Sequence, residues 1–139
     1  MTAECFIDTN VLLYAVASDP AEFAKRDIAR TIISGNAVGF STQVFGEFYD
    51  NATRKLRPQL THDQAISVLE PLLSLPVQPI TTEIVWHALK LKDRFQIRYW
   101  DACILAAAHT MGTGTVYSED LSHGQVYDRV KVINPFVDL

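Results

Sequence analysis

Residues 3–17 read AECFIDTNVLLYAVA. The first five form a short apolar run with one aromatic, the pattern of a buried strand. Asp8, Thr9 and Asn10 follow, three residue types that cap helix amino ends. Residues 11–17 are apolar again. They give way to Asp19-Pro20, where the residue before proline is pushed away from helical geometry. A strand, a cap and a buried helix in this order make the first half of a strand–helix–strand crossover.

The same unit recurs downstream. Phe23, Ile28, Ile32 and Ile33 lie near helical spacing, with Gly35-Asn36 as the stop, and residues 37–40 make a second strand. Ser41-Thr42 opens a helix carrying Val44, Phe45, Phe48 and Tyr49, which runs towards Leu56 and stops by Pro58. Thr61 and Gln64 have capping-box spacing and open a helix to about Leu75. Residues 77–80 predict a strand, 83–95 a helix capped by Thr81-Thr82, and 99–111 a helix ended by Gly112. Residues 114–117 and 130–133 predict the last two strands. Alternating strands and helices without a tight hairpin turn predict an α/β fold around a mostly parallel sheet. No repeat and no boundary interrupts residues 1–139, so one domain is expected.

The composition is ordinary for a soluble globular domain. The 139 residues are 48% hydrophobic and 20% charged, with six Gly and six Pro. That excludes a disordered tail, a collagen-like repeat and a disulfide scaffold. Cys5 and Cys103 both sit in apolar runs and read as buried free thiols; neither has zinc-ligand spacing. The amino terminus lacks a basic segment followed by a long apolar one, and the most apolar stretch, 102–108, is too short to cross a bilayer. A cytoplasmic protein with no membrane association is the expectation.

The net charge of −4 hides a segregation. Residues 53–98 carry seven Lys/Arg against four Asp/Glu, whereas both flanks are acidic. Arg54, Lys55 and Arg57 form one basic cluster; Lys90, Lys92, Arg94 and Arg98 form another. Each is either a solvated helix end or part of a basic rim that holds phosphates.

Three carboxylates fall in apolar surroundings. Asp8 lies between Cys5-Phe6-Ile7 and Val11-Leu12-Leu13, Glu47 among Val44, Phe45, Phe48 and Tyr49, and Asp101 before the wholly apolar ACILAAA. An unpaired buried carboxylate costs several kcal/mol, and no Arg or Lys adjoins any of the three in sequence. Asp120 follows the strand at 114–117 directly. In a parallel sheet, ligands bind beyond the strands' carboxyl ends. Asp8 and Asp120 leave their strands there, and Glu47 and Asp101 lie near helix amino ends that collect at the same edge. Crowded together, these acids repel one another and are driven towards protonation. A hard dication with oxygen ligands, Mg²⁺ or Mn²⁺, removes the conflict. The competing reading makes Asp8 and Asp101 helix caps, satisfied by backbone amides.

Four segments in order resemble the PIN-domain family, and specifically VapC-type toxins of bacterial toxin–antitoxin pairs. FIDTNVLLYA is similar to the first strand and acidic motif, STQVFGEFYDNATRK to the second with Glu47 as the acid, and RYWDACILAAA to the third with Asp101. VYSEDLSHGQVYDRVKVINPF is similar to the closing segment, with Ser118 and Asp120 in the Ser/Thr-x-Asp positions and Glu119 as a near rival. The resemblance implies a PIN-like sheet with helices on both faces. It implies a Mg²⁺- or Mn²⁺-dependent endoribonuclease cutting single-stranded or looped RNA, a homodimer, and a VapB-like antitoxin that inhibits it.

In that chemistry Asp8, Glu47, Asp101 and Asp120 hold one or two ions, and a metal-activated water attacks the phosphodiester. Asn10 and Ser118 orient Asp8 or touch the scissile phosphate. Attack by water needs no 2′-OH and leaves 5′-phosphate and 3′-OH ends, so RNA and DNA stay open as substrates. Of the four histidines, His123 is expected closest to the acids, with His109 near a helix carboxyl end and His87 packed. Tyr49, Tyr99 and Trp100 neighbour the acids, and core packing is the expectation for Tyr99 and Trp100. A phospho-acceptor receiver domain fits poorly, since one lone Asp8 ends the first strand and Lys131 lies inside the last. A non-enzymatic interaction module, with every acid a cap, is the remaining alternative.

Overall fold

Six strands order themselves by burial. Cys5–Ile7 (β1) and Val38–Ser41 (β2) are buried at every residue, as central strands of a parallel sheet must be. Around them lie Val77–Gln78 (β3), Thr115–Tyr117 (β4), Val126–Tyr127 (β5) and Val130–Ile133 (β6), in the order β3-β2-β1-β4-β6-β5. All pairs are parallel except β5 with β6. The structure, a computed structural model, describes residues 2–139.

The crossovers carry helices Thr9–Ala15 (α1), Phe23–Gly35 (α2), Thr42–Arg54 (α3), His62–Leu72 (α4), Thr82–Phe95 (α5) and Tyr99–Met111 (α6). β1, β2 and β3 step one way across the sheet, and β4 returns to the other side of β1. With right-handed crossovers, that reversal sets α1–α4 and α5–α6 on opposite faces. The packing follows, with α1 against α2 and α3, α3 against α4, and α5 against α6.

Local chemistry accounts for most boundaries. Asp8, Ser41, Thr61 and Thr81 cap α1, α3, α4 and α5 through their side chains, and Thr61 with Gln64 closes a full capping box. α4 ends at Leu72 rather than near Leu75. Pro71 sits in its last turn, and the chain continues to Leu75 in tighter three-residue turns. Gly112 ends α6 at φ 78°, a left-handed position that costs glycine little. Gly39 is required for space instead: a Cβ there would stand 2.6 Å from Met111 Cε and 2.9 Å from Ala3 Cβ. Asp101 to Ala108 of α6 are all buried, as the all-round apolar run predicts.

Beyond shifted ends such as those of α4 and β3, one element departs from expectation. β5 pairs antiparallel with β6 through the two-residue turn Asp128-Arg129, so the sheet does contain a tight hairpin. Both turn residues have positive φ, 47° and 73°, without the Gly or Asn that normally signals it. Cys5 and Cys103 are buried free thiols, and burial pushes both pKa values up.

Candidate active site

The reversal of strand order falls between β1 and β4, whose parallel ladder is extended past β1 by a hydrogen bond from Asp8 N to Tyr117 O at 3.1 Å. The next side chain on each strand therefore emerges at the same crevice: Asp8 from β1 and Ser118 from β4. Ser118 Oγ donates to Asp8 Oδ2 at 2.7 Å, and the Thr9 amide donates to Asp8 Oδ1 at 2.7 Å. Asp8 is only 4% exposed. Burial pushes its carboxyl up to about 7, against the pull of these two hydrogen bonds, and the charges of Asp120 and Glu47 raise it further.

Asn10 ties the cluster together. Its Nδ2 lies 3.3 Å from Asp8 Oδ2, 3.2 Å from Ser118 Oγ and 3.1 Å from Asp120 Oδ2. Its Oδ1 accepts from the Glu119 amide, which fixes the amide's orientation with nitrogen towards the acids. Glu47 reaches in from the second turn of α3, where Oε1 accepts from Thr9 Oγ1 at 2.8 Å and from Gln43 Nε2 at 3.4 Å. Asp101 enters from the first turn of α6 and meets Arg98: Nε to Oδ2 at 3.1 Å and Nη2 to Oδ1 at 3.3 Å. Asp8, Glu47, Asp101 and Asp120 thus line one cavity of about 210 Å³.

Asp101 does not cap α6. Arg98 holds the cap position with no capping side chain, and Asp101 stands two residues inside the helix. The cap alternative therefore survives only for Asp8, which caps α1 and faces the cavity together. Asp101 does have a basic partner, three residues away on the helix surface rather than adjacent. Glu119 turns away from the acids. Tyr14 OH donates to its Oε1 at 2.6 Å and Lys25 Nζ to its Oε2 at 3.2 Å, so Asp120 is the acid of this segment that reaches the cavity.

The residues fit a hard dication by chemistry. All the cavity's charged donors are carboxylate oxygens, their mutual repulsion is visible at Asp8, and a fifth hard oxygen, Gln43 Oε1, is buried on the same wall without a hydrogen-bond partner. Among the described residues, however, no three His, Cys, Asp or Glu side chains converge closely enough to hold an ion. Thr9, Asn10, Ser118 and Arg98 hold the carboxylates instead.

The sequence model of the PIN domain family matches residues 5–128. The chain belongs to the PIN domain family. No curated protein matches it. Solved structures do, at identities where likeness speaks for the fold. The Mycobacterium tuberculosis VapC20 toxin, described as cleaving the sarcin–ricin loop, superposes with a TM-score of 0.68 at 20% identity, over 84% of this chain and 89% of that one. A toxin–antitoxin complex from Klebsiella pneumoniae gives 0.70 at 17% identity, over 95% and 98%. FitAcB from Neisseria gonorrhoeae gives 0.65 at 18%, over 96% and 99%.

Several residues of this PIN domain's cavity are invisible to motif reading. Thr9, Gln43 and Arg98 each bond an acid, yet resemble ordinary cap or surface residues in the sequence. Trp100 is 59% exposed on the cavity wall instead of packing in the core, whereas Tyr99 does pack against the core. His123 does not reach the acids; its Nδ1 accepts from the Asn134 amide. His87 and His109 pack edge-to-face and both approach Asp128, at 2.9 and 3.9 Å. Tyr49 pairs with His62.

Proposed function

We propose that this PIN domain is a Mg²⁺- or Mn²⁺-dependent endoribonuclease and the toxin of a toxin–antitoxin pair. One observation carries the reading: four carboxylates from positions 8, 47, 101 and 120 line a single cavity at the sheet's point of reversal. The family membership and the fold shared with toxins of such pairs support it. A bound dication would lower the pKa of a water and polarise the phosphoryl oxygen.

The chain's own residues do the rest. Asp8, Glu47, Asp101 and Asp120 are the ligands proposed for the dication. Ser118 and Asn10 orient Asp8 through the bonds described above, and Asn10 sets Asp120 against it. Asp8 holds its proton to about pH 7 without metal, so loading the site releases that proton and weakens in acid. Arg98 neutralises Asp101 until it is otherwise engaged. Hydrolysis of single-stranded or looped RNA leaves 5′-phosphate and 3′-OH ends. The whole of 1–139 acts as one domain, paired with a second copy and silenced by a VapB-like antitoxin. No helix among the described residues is long and apolar enough to cross a membrane, and two free thiols suit the cytoplasmic setting we assign.

The test is cleavage of matched RNA and DNA oligonucleotides with Mn²⁺, with ends mapped. RNA cleavage with 5′-phosphate products, abolished by Asp8→Asn and by Asp101→Asn in folded protein, is expected. Cyclic phosphate ends, or full activity in either variant, would overturn the mechanism. Preferential cutting of DNA would overturn the substrate.

A further inference from the structure

Arg98, Tyr99 and Trp100 immediately precede Asp101, and Arg98, at the cap, and Trp100, in the first turn, are unusually exposed for the start of a buried helix. Trp100 leaves 59% of its surface in water while lining the acid cavity. It is not loose. Its carbonyl accepts from Gln43 Nε2 at 3.1 Å, and Tyr99, itself packed on the core, stands edge-on to the indole at 4.9 Å and 77°. Arg98 is the one basic residue among the described residues lining that cavity, and its side chain is 77% exposed. Its guanidinium is spent on Asp101 alone, through bonds of 3.1 and 3.3 Å.

A polyanion approaching four carboxylates meets repulsion, so a bound nucleotide needs a cation and an uncharged contact at the lip. A fixed indole supplies the second, because every base has a stacking face. We propose that Trp100 and Arg98 form a nucleotide clamp: a base flanking the scissile phosphate stacks on the indole, and the adjoining phosphate takes the guanidinium. The clamp admits single-stranded RNA and excludes duplex, whose bases are already stacked. The inference rests on the ribonuclease reading above.

The chain has two tryptophans, so Trp86→Phe leaves Trp100 as the sole indole. The probe is a labelled nine-nucleotide single-stranded RNA of mixed sequence, titrated with Mn²⁺ into Asp8→Asn/Trp86→Phe to prevent cleavage. Quenching of Trp100 emission is expected, tracking the anisotropy of the label. In the Asp8→Asn background, Trp100→Ala should weaken binding at least about fivefold, and Trp100→Phe should keep most of it. With the four acids intact, Trp100→Ala should raise KM and leave kcat nearly unchanged. Unquenched emission, whether or not the RNA binds, overturns the clamp, as does equal affinity in Trp100→Ala. Conversion of a dimer to monomer by Trp100→Ala, with emission insensitive to RNA, overturns it too and assigns the indole to an interface between copies. Failure of Trp86→Phe itself to cleave RNA counts against the ribonuclease reading, independently of the quenching result.

Discussion

Asp8 does two jobs that conflict. As the cap of α1 it accepts the Thr9 amide, which favours the carboxylate; as a buried group beside Asp120 and Glu47 it favours the neutral acid. Burial wins, and the folded-state pKa rises from 3.8 to about 7. Between these two values the folded protein holds a proton that the unfolded chain has released. Stability of the metal-free protein therefore falls as pH rises through that window, by on the order of 4 kcal/mol when complete. Asp8→Asn removes the titration. In EDTA, the variant's Tm should lie close to the parent's near pH 4 and exceed it by several degrees at pH 8, by calorimetry. A parent whose stability does not decline over this range would mean that Asp8 ionises freely, held up neither by burial nor by the neighbouring acids.

The strands are only two to four residues long, so their spacing depends on small contacts. Gly39 on β2 lies opposite Phe6 of β1, where Met111 and Ala3 leave no room for a methyl group. Met111 can yield, being flexible; Ala3 cannot without backbone movement. Gly39→Ala should cost about 1–3 kcal/mol in urea unfolding. A smaller cost would show that Met111 absorbs the strain alone. The elements themselves were largely legible before any coordinates. Caps at Ser41, Thr61 and Thr81, and the all-round apolar run after Asp101, each specify a local geometry through a local cause. The β5–β6 hairpin was not legible, because Asp128 and Arg129 adopt left-handed backbone without the residues that favour it; Asp128 is held there by His87, from α5. Asp8, Glu47 and Asp101 were legible because apolar neighbours make a carboxylate conspicuous, and Asp120 because it follows a strand's carboxyl end. Gln43, the bond from Arg98 to Asp101 and the exposure of Trp100 were not, since they depend on which way a helix's first turn faces after packing.

Across the whole molecule, folding gathers acids from both flanks of the chain and largely disperses the basic middle. Arg54 is bound to Asp50, Arg57 donates to the carbonyls of Arg54 and Leu56, and Lys90, Lys92 and Arg94 lie on α5 away from the cavity's lining. The anticipated basic rim shrinks to Arg98 and Lys55, the latter lining a smaller hollow that shares Leu13 and Asn51 with the acid cavity. Lys55→Gln should raise KM and lower the log–log salt slope for single-stranded RNA by about 0.7, the release of one counterion. Arg54→Gln should change neither, and equal effects from both would restore the wider rim. The Arg98–Asp101 pair has a further consequence at this scale. On the proposed reading, a dication arriving at Asp101 would have to evict a tenant of like sign, so the affinity measured would be a difference between two attachments. Arg98→Ala should accordingly tighten Mn²⁺ binding by calorimetry even as it loosens RNA. One of the four acids is thus already neutralised from within, and on the proposed reading whatever dislodges that guanidinium frees Asp101 for a dication.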